Sequence, residues 1–201
     1  MACNAPQGYV SDNTDNNDNE DFAEIVTATY SNLYAPATGG QGAPIAGDFT
    51  KFDFSTGEIT TSETDWDIAF RTTTIIVNGG VSMGTVDEPD RTGNAGAYIV
   101  DSTFDGVTQV NTNDFLQDTV TILAIPTGSG NGWYNYSSPP THVITPIPGK
   151  ILVFRTAEGT YAKVEIYSYY LDAPPNPDYT MPARYYTFKY SFQPNDGLTN
   201  F

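Results

Sequence analysis

The spacing of apolar residues is the feature that most constrains how this chain can fold. From Glu24 onward, no stretch keeps apolar residues at helical spacing for ten residues. Alternating patterns and β-branched runs recur instead, as in 23–30, 48–60 and 96–101. Such patterns are typical of strands with one face in a core. The sequence therefore predicts an all-β fold built as one antiparallel domain.

Four further stretches are predicted to form strands of this domain. The stretch 65–77, DWDIAFRTTTIIV, is the longest single strand candidate, and 118–125 is a shorter one. The stretch 150–170 is typical of a hairpin in which Gly159 supplies the positive φ of the turn. The stretch 184–192 alternates, so that four aromatic side chains should share one face: Tyr186, Phe188, Tyr190 and Phe192.

The charge balance excludes some classes of function. The formal net charge is −16, with only eight basic residues scattered along the chain. Nucleic-acid binding requires clusters of Lys and Arg that release counterions, so we expect no nucleic-acid partner. The chain has one His and one Cys, which excludes metal sites built from clusters of these residues.

The N-terminal tail has a different character from the body. Ala2-Cys3-Asn4 resembles the processed end of a lipoprotein signal, in which the cysteine receives the lipid. The following run from 11 to 21 is rich in Asp and Asn and has almost nothing to bury, so it is predicted to stay disordered. We therefore predict a lipidated acidic tether over 1–22 and a ligand-binding domain over 23–201. Such tethers resemble those of Bacteroidota surface lipoproteins.

Two short motifs raise the possibility of an enzyme. Residues 80–84, GVSMG, match the G-x-S-x-G pattern of a serine hydrolase with Ser82 as nucleophile, but a loop-like stretch follows where that fold needs a helix. Asp65 and Asp67 flank Trp66, and alternation predicts both carboxylates on one face with the indole on the other. We interpret the first motif as a glycine-rich loop and the second as a polar face above a core tryptophan. The protein is expected not to be an enzyme.

His142 has three possible roles on sequence grounds. As a general base it lacks a credible nucleophile, and as a structural residue it would hydrogen-bond the backbone after the Pro-Pro turn. As an axial haem ligand it would sit among flat aromatic side chains suited to a porphyrin: Trp133, Tyr134 and Tyr136.

Several stretches together resemble the HmuY-type family, which are haem-binding lipoproteins of Bacteroidota. They are DWDIAFR (65–71), an NGG turn with a later GAYI (96–99), GWYNYS (132–137), VFRTAEGTYAKVEIYSYY (153–170) and YYTFKYSF (185–192). The resemblance spans roughly residues 23 to 192. It implies an all-β fold shaped like a right hand, haem held by two axial ligands between extended loops, and lipid anchoring at Cys3.

The resemblance also implies candidate site residues. One family ligand closely follows the Gly-Trp segment, which makes His142 the axial ligand by proximity. The other family ligand belongs to a segment that corresponds to 111–130, which contains no His, Met or Cys. Met83, in the glycine loop, is the second candidate and Met181 is the remaining soft donor. Neither position matches a family ligand.

The predicted function is therefore haem or porphyrin capture. The resemblance implies an outer-membrane or secreted cell-surface lipoprotein that transfers its ligand to a TonB-dependent outer-membrane receptor. Membrane contact is expected only through the lipid anchor. The alternatives are a surface module of the same fold that binds a glycan, a peptide or a protein, and a serine hydrolase acting through Ser82.

Overall fold

A computed structural model describes residues 22–40 and 42–201, which form thirteen strands and, over those residues, no helix. None of the described segments is therefore a helix that could cross a bilayer. Residues 1–21 of the predicted tether, including the lipidation site at Cys3, lie outside the described residues. The strands are β1 (Val26–Tyr34), β2 (Thr38–Gly40), β3 (Ala43–Ala46), β4 (Thr50–Asp53), β5 (Glu58–Thr60), β6 (Ile68–Arg71), β7 (Thr74–Val77), β8 (Gly96–Asp101), β9 (Tyr134–Tyr136), β10 (Ile144–Pro146), β11 (Lys150–Arg155), β12 (Tyr161–Tyr170) and β13 (Ala183–Gln193).

The strands form two larger sheets and two separate hairpins. One sheet has five strands in the order β1-β13-β12-β11-β8, and the other has four in the order β5-β4-β6-β7. The hairpins are β2–β3 and β9–β10. Every strand pairing in these sheets is antiparallel, which confirms the predicted fold class.

Aromatic side chains join the two larger sheets. The ring of Phe52 from β4 lies edge-on to Phe188 from β13, with centroids 5.4 Å apart. Phe70 from β6 packs on Tyr186 at 4.8 Å, and the Tyr186 hydroxyl donates to the Thr72 carbonyl at 2.8 Å. The four aromatic residues predicted to share a face of the last strand are all buried. This shared face forms the core because alternation along β13 presents all four rings to the opposite sheet.

The predicted long strand over 65–77 is instead a tight hairpin, and this prediction was wrong. Strand β6 ends at Arg71 and β7 begins at Thr74, with Ile68 paired to Val77 across the turn. Thr72 takes a φ of 50° at this turn, a conformation usually supplied by Gly or Asn. Sequence rules therefore gave no turn signal here.

The Asp65-Trp66-Asp67 motif also differs from its prediction. Strand β6 begins only at Ile68, so alternation does not apply to the motif, and Asp67 is buried beside Trp66 while Asp65 is exposed. The Asp67 carboxylate accepts the backbone N–H of Phe54 at 2.8 Å and that of Ala157 at 2.7 Å. Since Phe54 follows β4 and Ala157 lies in the β11–β12 turn, this side chain links the two larger sheets.

The stretch 118–125 forms no strand, so this prediction was also wrong. The Thr119 hydroxyl accepts the N–H of Ile122 at 2.9 Å and closes a tight turn. The Asp118 carboxylate accepts the N–H groups of Ala124 and Val77, at 2.9 and 3.0 Å. Side-chain oxygens thus take backbone N–H groups that a strand would pair with its neighbour.

Candidate ligand-binding cavity

An open cavity of about 640 Å³ lies between loops beside the four-stranded sheet. Its walls come from four segments: residues 44–49, the β6–β7 hairpin, the loop 83–88 and the loop 121–127. The volume falls within the range of about 300–1,000 Å³ that is common for small-molecule sites. It is therefore the candidate functional site.

The cavity wall is largely apolar and remains partly open to solvent. Ile45, Val86 and Ile122 line it while being 48%, 50% and 65% exposed. Met83 also lines it and is 37% exposed. Exposed apolar groups gathered at a concave surface indicate a surface that is covered when something binds.

Arg71 supports one side of the cavity from inside the fold. Its guanidinium lies 4.1 Å from the centroid of the Phe49 ring. It donates to the carbonyls of Gly47 and Val86 at 3.1 and 2.5 Å, and to the Thr85 hydroxyl at 2.9 Å. Burial lowers the pKa of Arg71 against the raising effect of nearby carboxylates, but an arginine stays charged at any physiological pH. Arg71 therefore joins the segment before β4 to the loop 83–88.

Glu88 organises the loop that carries Met83. Its carboxylate accepts the N–H of Met83 at 3.1 Å, and the N–H and hydroxyl of Thr85 at 3.0 and 2.8 Å. Burial would raise the pKa of Glu88, but these hydrogen bonds and the charge of Arg91 together lower it below its ordinary value. The loop is thus held by a carboxylate that stays ionised.

Arg91 connects two of the loops that line the cavity. One terminal nitrogen lies 2.6 Å from the Glu88 carboxylate and 3.0 Å from that of Asp118, and all three side chains are at most 2% exposed. Asp118 in turn holds the loop 121–127 through the N–H of Ala124. Burial raises the pKa of Asp118 despite the hydrogen bonds it accepts and the charge of Arg91. Arg91, Glu88 and Asp118 together form the Arg91 cluster.

His142 does not line this cavity. It lies in the exposed turn of the β9–β10 hairpin with a φ of 48°. Its Nδ1 lies 2.5 Å from the Tyr136 hydroxyl. If Nδ1 carries the proton and donates to Tyr136, Nε2 keeps a free lone pair, which is the arrangement that metal-binding histidines use.

Of the aromatic residues predicted to surround His142, Tyr136 contacts it, but Trp133 and Tyr134 are not gathered there. Trp133 and Tyr134 are buried, with Trp133 donating from Nε1 to the Thr73 carbonyl at 3.1 Å. Both side chains hydrogen-bond to Thr73 in the turn of the β6–β7 hairpin. The residues on either side of it, Thr72 and Thr74, line the cavity. Met181 packs against the main core. Of the predicted residues, Met83 alone lines the cavity.

The G-x-S-x-G match lies in a loop. The Ser82 hydroxyl accepts the N–H of Gly84 at 3.0 Å, and residues 85–95 that follow form no helix. Sequence reasoning missed the Arg91 cluster, because its members are up to 30 residues apart in a stretch typical of a loop. The only available signal was an arginine close to a glutamate in DEPDR, which is also common on exposed surfaces.

The sequence model described as HmuY protein matches residues 46–190. No curated protein matches the chain. The crystal structure of the apo HmuY analog of Tannerella forsythia is similar with a TM-score of 0.55 at 14% identity, covering 87% of this chain and 100% of that one. At this identity the likeness concerns the fold.

Two further solved structures are more distant. A candidate HmuY-like haem-binding protein from Bacteroides vulgatus has a TM-score of 0.45 at 16% identity, covering 83% of this chain and 90% of that one. A candidate lipoprotein from Bacteroides fragilis has a TM-score of 0.48 at 14% identity, covering 83% and 89%.

Proposed function

Because the chain belongs to the HmuY family, we propose that it captures haem or a similar porphyrin and that the open cavity receives the ring. The observation that carries this proposal is the apolar cavity of about 640 Å³ with a thioether on its wall. A flat apolar ligand fits such a wall better than a sugar, which needs many polar partners. The activity is capture and release, without chemistry on the ligand.

Met83 is the proposed axial ligand in this cavity. Methionine sulfur is an established haem ligand, and Met83 lines the cavity in a loop held by Glu88. His142 is the alternative ligand, because its Nε2 can be left free by the contact with Tyr136. Haem would supply the iron in either case, and the protein would contribute the donor atom and an apolar surface.

Titration with ferric haem tests the proposal and distinguishes the two ligands. We expect a saturable Soret shift that Met83→Leu weakens by at least about tenfold, because leucine conserves the side-chain volume but removes the sulfur. His142→Ala should leave the shift unchanged and serves as the matched control. Loss of the Soret shift only in His142→Ala would identify His142 as the axial ligand. The absence of a shift in the unaltered protein would reject haem binding.

Cellular location and transfer complete the proposal. Lipidation at Cys3 would anchor the protein at the outer membrane, and a TonB-dependent receptor would accept the ligand. Family membership and the Ala2-Cys3-Asn4 sequence support this. Metabolic labelling with a fatty-acid analogue should label the protein in its native host, and Cys3→Ala should abolish the label.

A protein or peptide partner is the second candidate function. It is favoured by the exposure of Ile45, Val86 and Ile122, which an apolar side chain of a partner could cover. This candidate gains support if the haem titration gives no shift.

A further inference from the structure

The ionisable side chains of the cavity wall are already occupied by partners within the protein. Among the described residues that line the cavity, Arg71 and Glu88 are ionisable. Arg71 is 5% exposed and donates to two carbonyls and a hydroxyl. The Glu88 carboxylate accepts three hydrogen bonds from Met83 and Thr85 and contacts Arg91. Neither charge is therefore available to pair with a charged ligand.

The remaining polar groups on the wall are neutral. Thr85 is engaged with Arg71 and Glu88, and four further threonines contribute hydroxyls: Thr72, Thr74, Thr121 and Thr127. Hydroxyls can accept or donate hydrogen bonds, but they do not offset the cost of removing an anion from water. The surrounding chain carries a net charge of −16, which further disfavours an anion.

We infer that the cavity binds uncharged apolar small molecules and excludes anionic groups from its walls. The inference goes beyond haem capture, because it requires neither iron nor an axial ligand. A ligand that carries carboxylates would keep them in water at the open mouth. The apolar side chains at that mouth would contribute affinity by losing their contact with water when the ligand covers them.

Two probes that share one aromatic skeleton test this inference. N-phenyl-1-naphthylamine is uncharged at neutral pH, whereas 8-anilinonaphthalene-1-sulfonate adds one sulfonate to the same rings. Fluorescence titration should show saturable binding of the neutral probe, with a dissociation constant at least about tenfold lower than that of the sulfonate. Equal or tighter binding of the sulfonate, or no saturable binding of the neutral probe, would overturn the inference.

A pair of variants in one turn locates the binding. Ile122 lines the cavity and is 65% exposed, whereas Val120 is 63% exposed and does not line it. Ile122→Asn should weaken binding of the neutral probe by about tenfold, since it removes a contact worth up to a full apolar side chain. Val120→Asn should leave binding unchanged. Equal effects of the two variants would place the probe elsewhere and contradict the inference.

The outcome is separable from that of the haem titration. A protein that binds the neutral probe in an Ile122-dependent manner but gives no Soret shift would reject haem and retain the inference. A Soret shift without binding of the neutral probe would support haem capture and reject the inference.

Discussion

Arg91→Met should lower the free energy of unfolding by about 3–5 kcal/mol, because it leaves two buried carboxylates without their cation. Both Glu88 and Asp118 contact the same terminal nitrogen of Arg91, at 2.6 and 3.0 Å. The side chains are at most 2% exposed, so water cannot replace the lost charge. Urea-induced unfolding followed by tryptophan fluorescence measures the change.

A surface ion pair provides the matched control for Arg91. Lys150 contacts Asp101 at 2.7 Å, but the Asp101 side chain is 80% exposed. Lys150→Met should therefore cost no more than about 1 kcal/mol, as exposed pairs do. Equal losses in the two variants would contradict the view that burial makes the Arg91 cluster important.

A second substitution tests whether the uncompensated charge is the cause. Adding Asp118→Asn to Arg91→Met removes one of the two carboxylates that have lost their cation. The amide oxygen of the new side chain can still accept one backbone hydrogen bond. The double variant should then be more stable than the sum of the two single losses predicts. Strict additivity would indicate that lost packing of the Arg91 side chain, including its position 5.8 Å from the Trp66 ring, accounts for the effect instead.

The Arg91 cluster also bears on ligand binding, since its two carboxylates hold two different loops that line the cavity. Glu88 fixes the N–H of Met83, and Asp118 fixes that of Ala124. The cavity shape therefore depends on an ion-pair cluster of which Glu88 alone lines the cavity. This explains how a binding surface made largely of loops can be ordered without a helix or a long strand beneath it.

Regular strands were predictable from the sequence wherever alternation and turn chemistry agreed. The stretch 96–101 coincides with β8, and the hairpin predicted over 150–170 contains β11 and β12 with Gly159 at a φ of 104° in the turn. Both cases combine β-branched residues with polar or glycine boundaries, which is the combination that pattern rules detect. The alternating face of β13 was predictable for the same reason.

The strand predictions were wrong where a side chain replaces a backbone hydrogen-bond partner or where a residue adopts an unusual backbone conformation. Thr72 makes the β6–β7 turn with a positive φ although threonine normally avoids it. Asp118 takes two backbone N–H groups that a strand would have paired. The cavity could not be predicted at all, because its four walls are distant in sequence and meet only through tertiary contacts. Local patterns carry no information about such contacts.

Asp67→Ala should lower the free energy of unfolding at pH 5 by roughly 2–6 kcal/mol, because two backbone N–H groups each lose their carboxylate acceptor at about 1–3 kcal/mol. These are the N–H groups of Phe54, which follows β4, and of Ala157, in the β11–β12 turn. Asp65→Ala is the matched control, since Asp65 is exposed and its carboxylate accepts only from the nearby hydroxyls of Ser62 and Thr64. We expect the control to change stability by less than about 0.5 kcal/mol.

The pH dependence of that loss identifies the carboxyl group as the cause. Burial raises the pKa of Asp67 to about 7, although the N–H groups of Ala157 and Phe54 lower it. Between about pH 4 and pH 7 the folded protein then holds a proton that the unfolded chain has released, so stability from this group falls as the pH rises. The full decline is on the order of 4 kcal/mol, at about 1.36 kcal/mol per pKa unit.

The difference in stability between the unaltered protein and Asp67→Ala should therefore be larger at pH 5 than at pH 8. Asp65→Ala is measured at the same pH values as the exposed control. Unfolding curves for all three proteins at half-unit intervals measure the slope. A difference that stays constant across this range would mean that Asp67 is ionised throughout, with its two backbone donors outweighing the cost of burial.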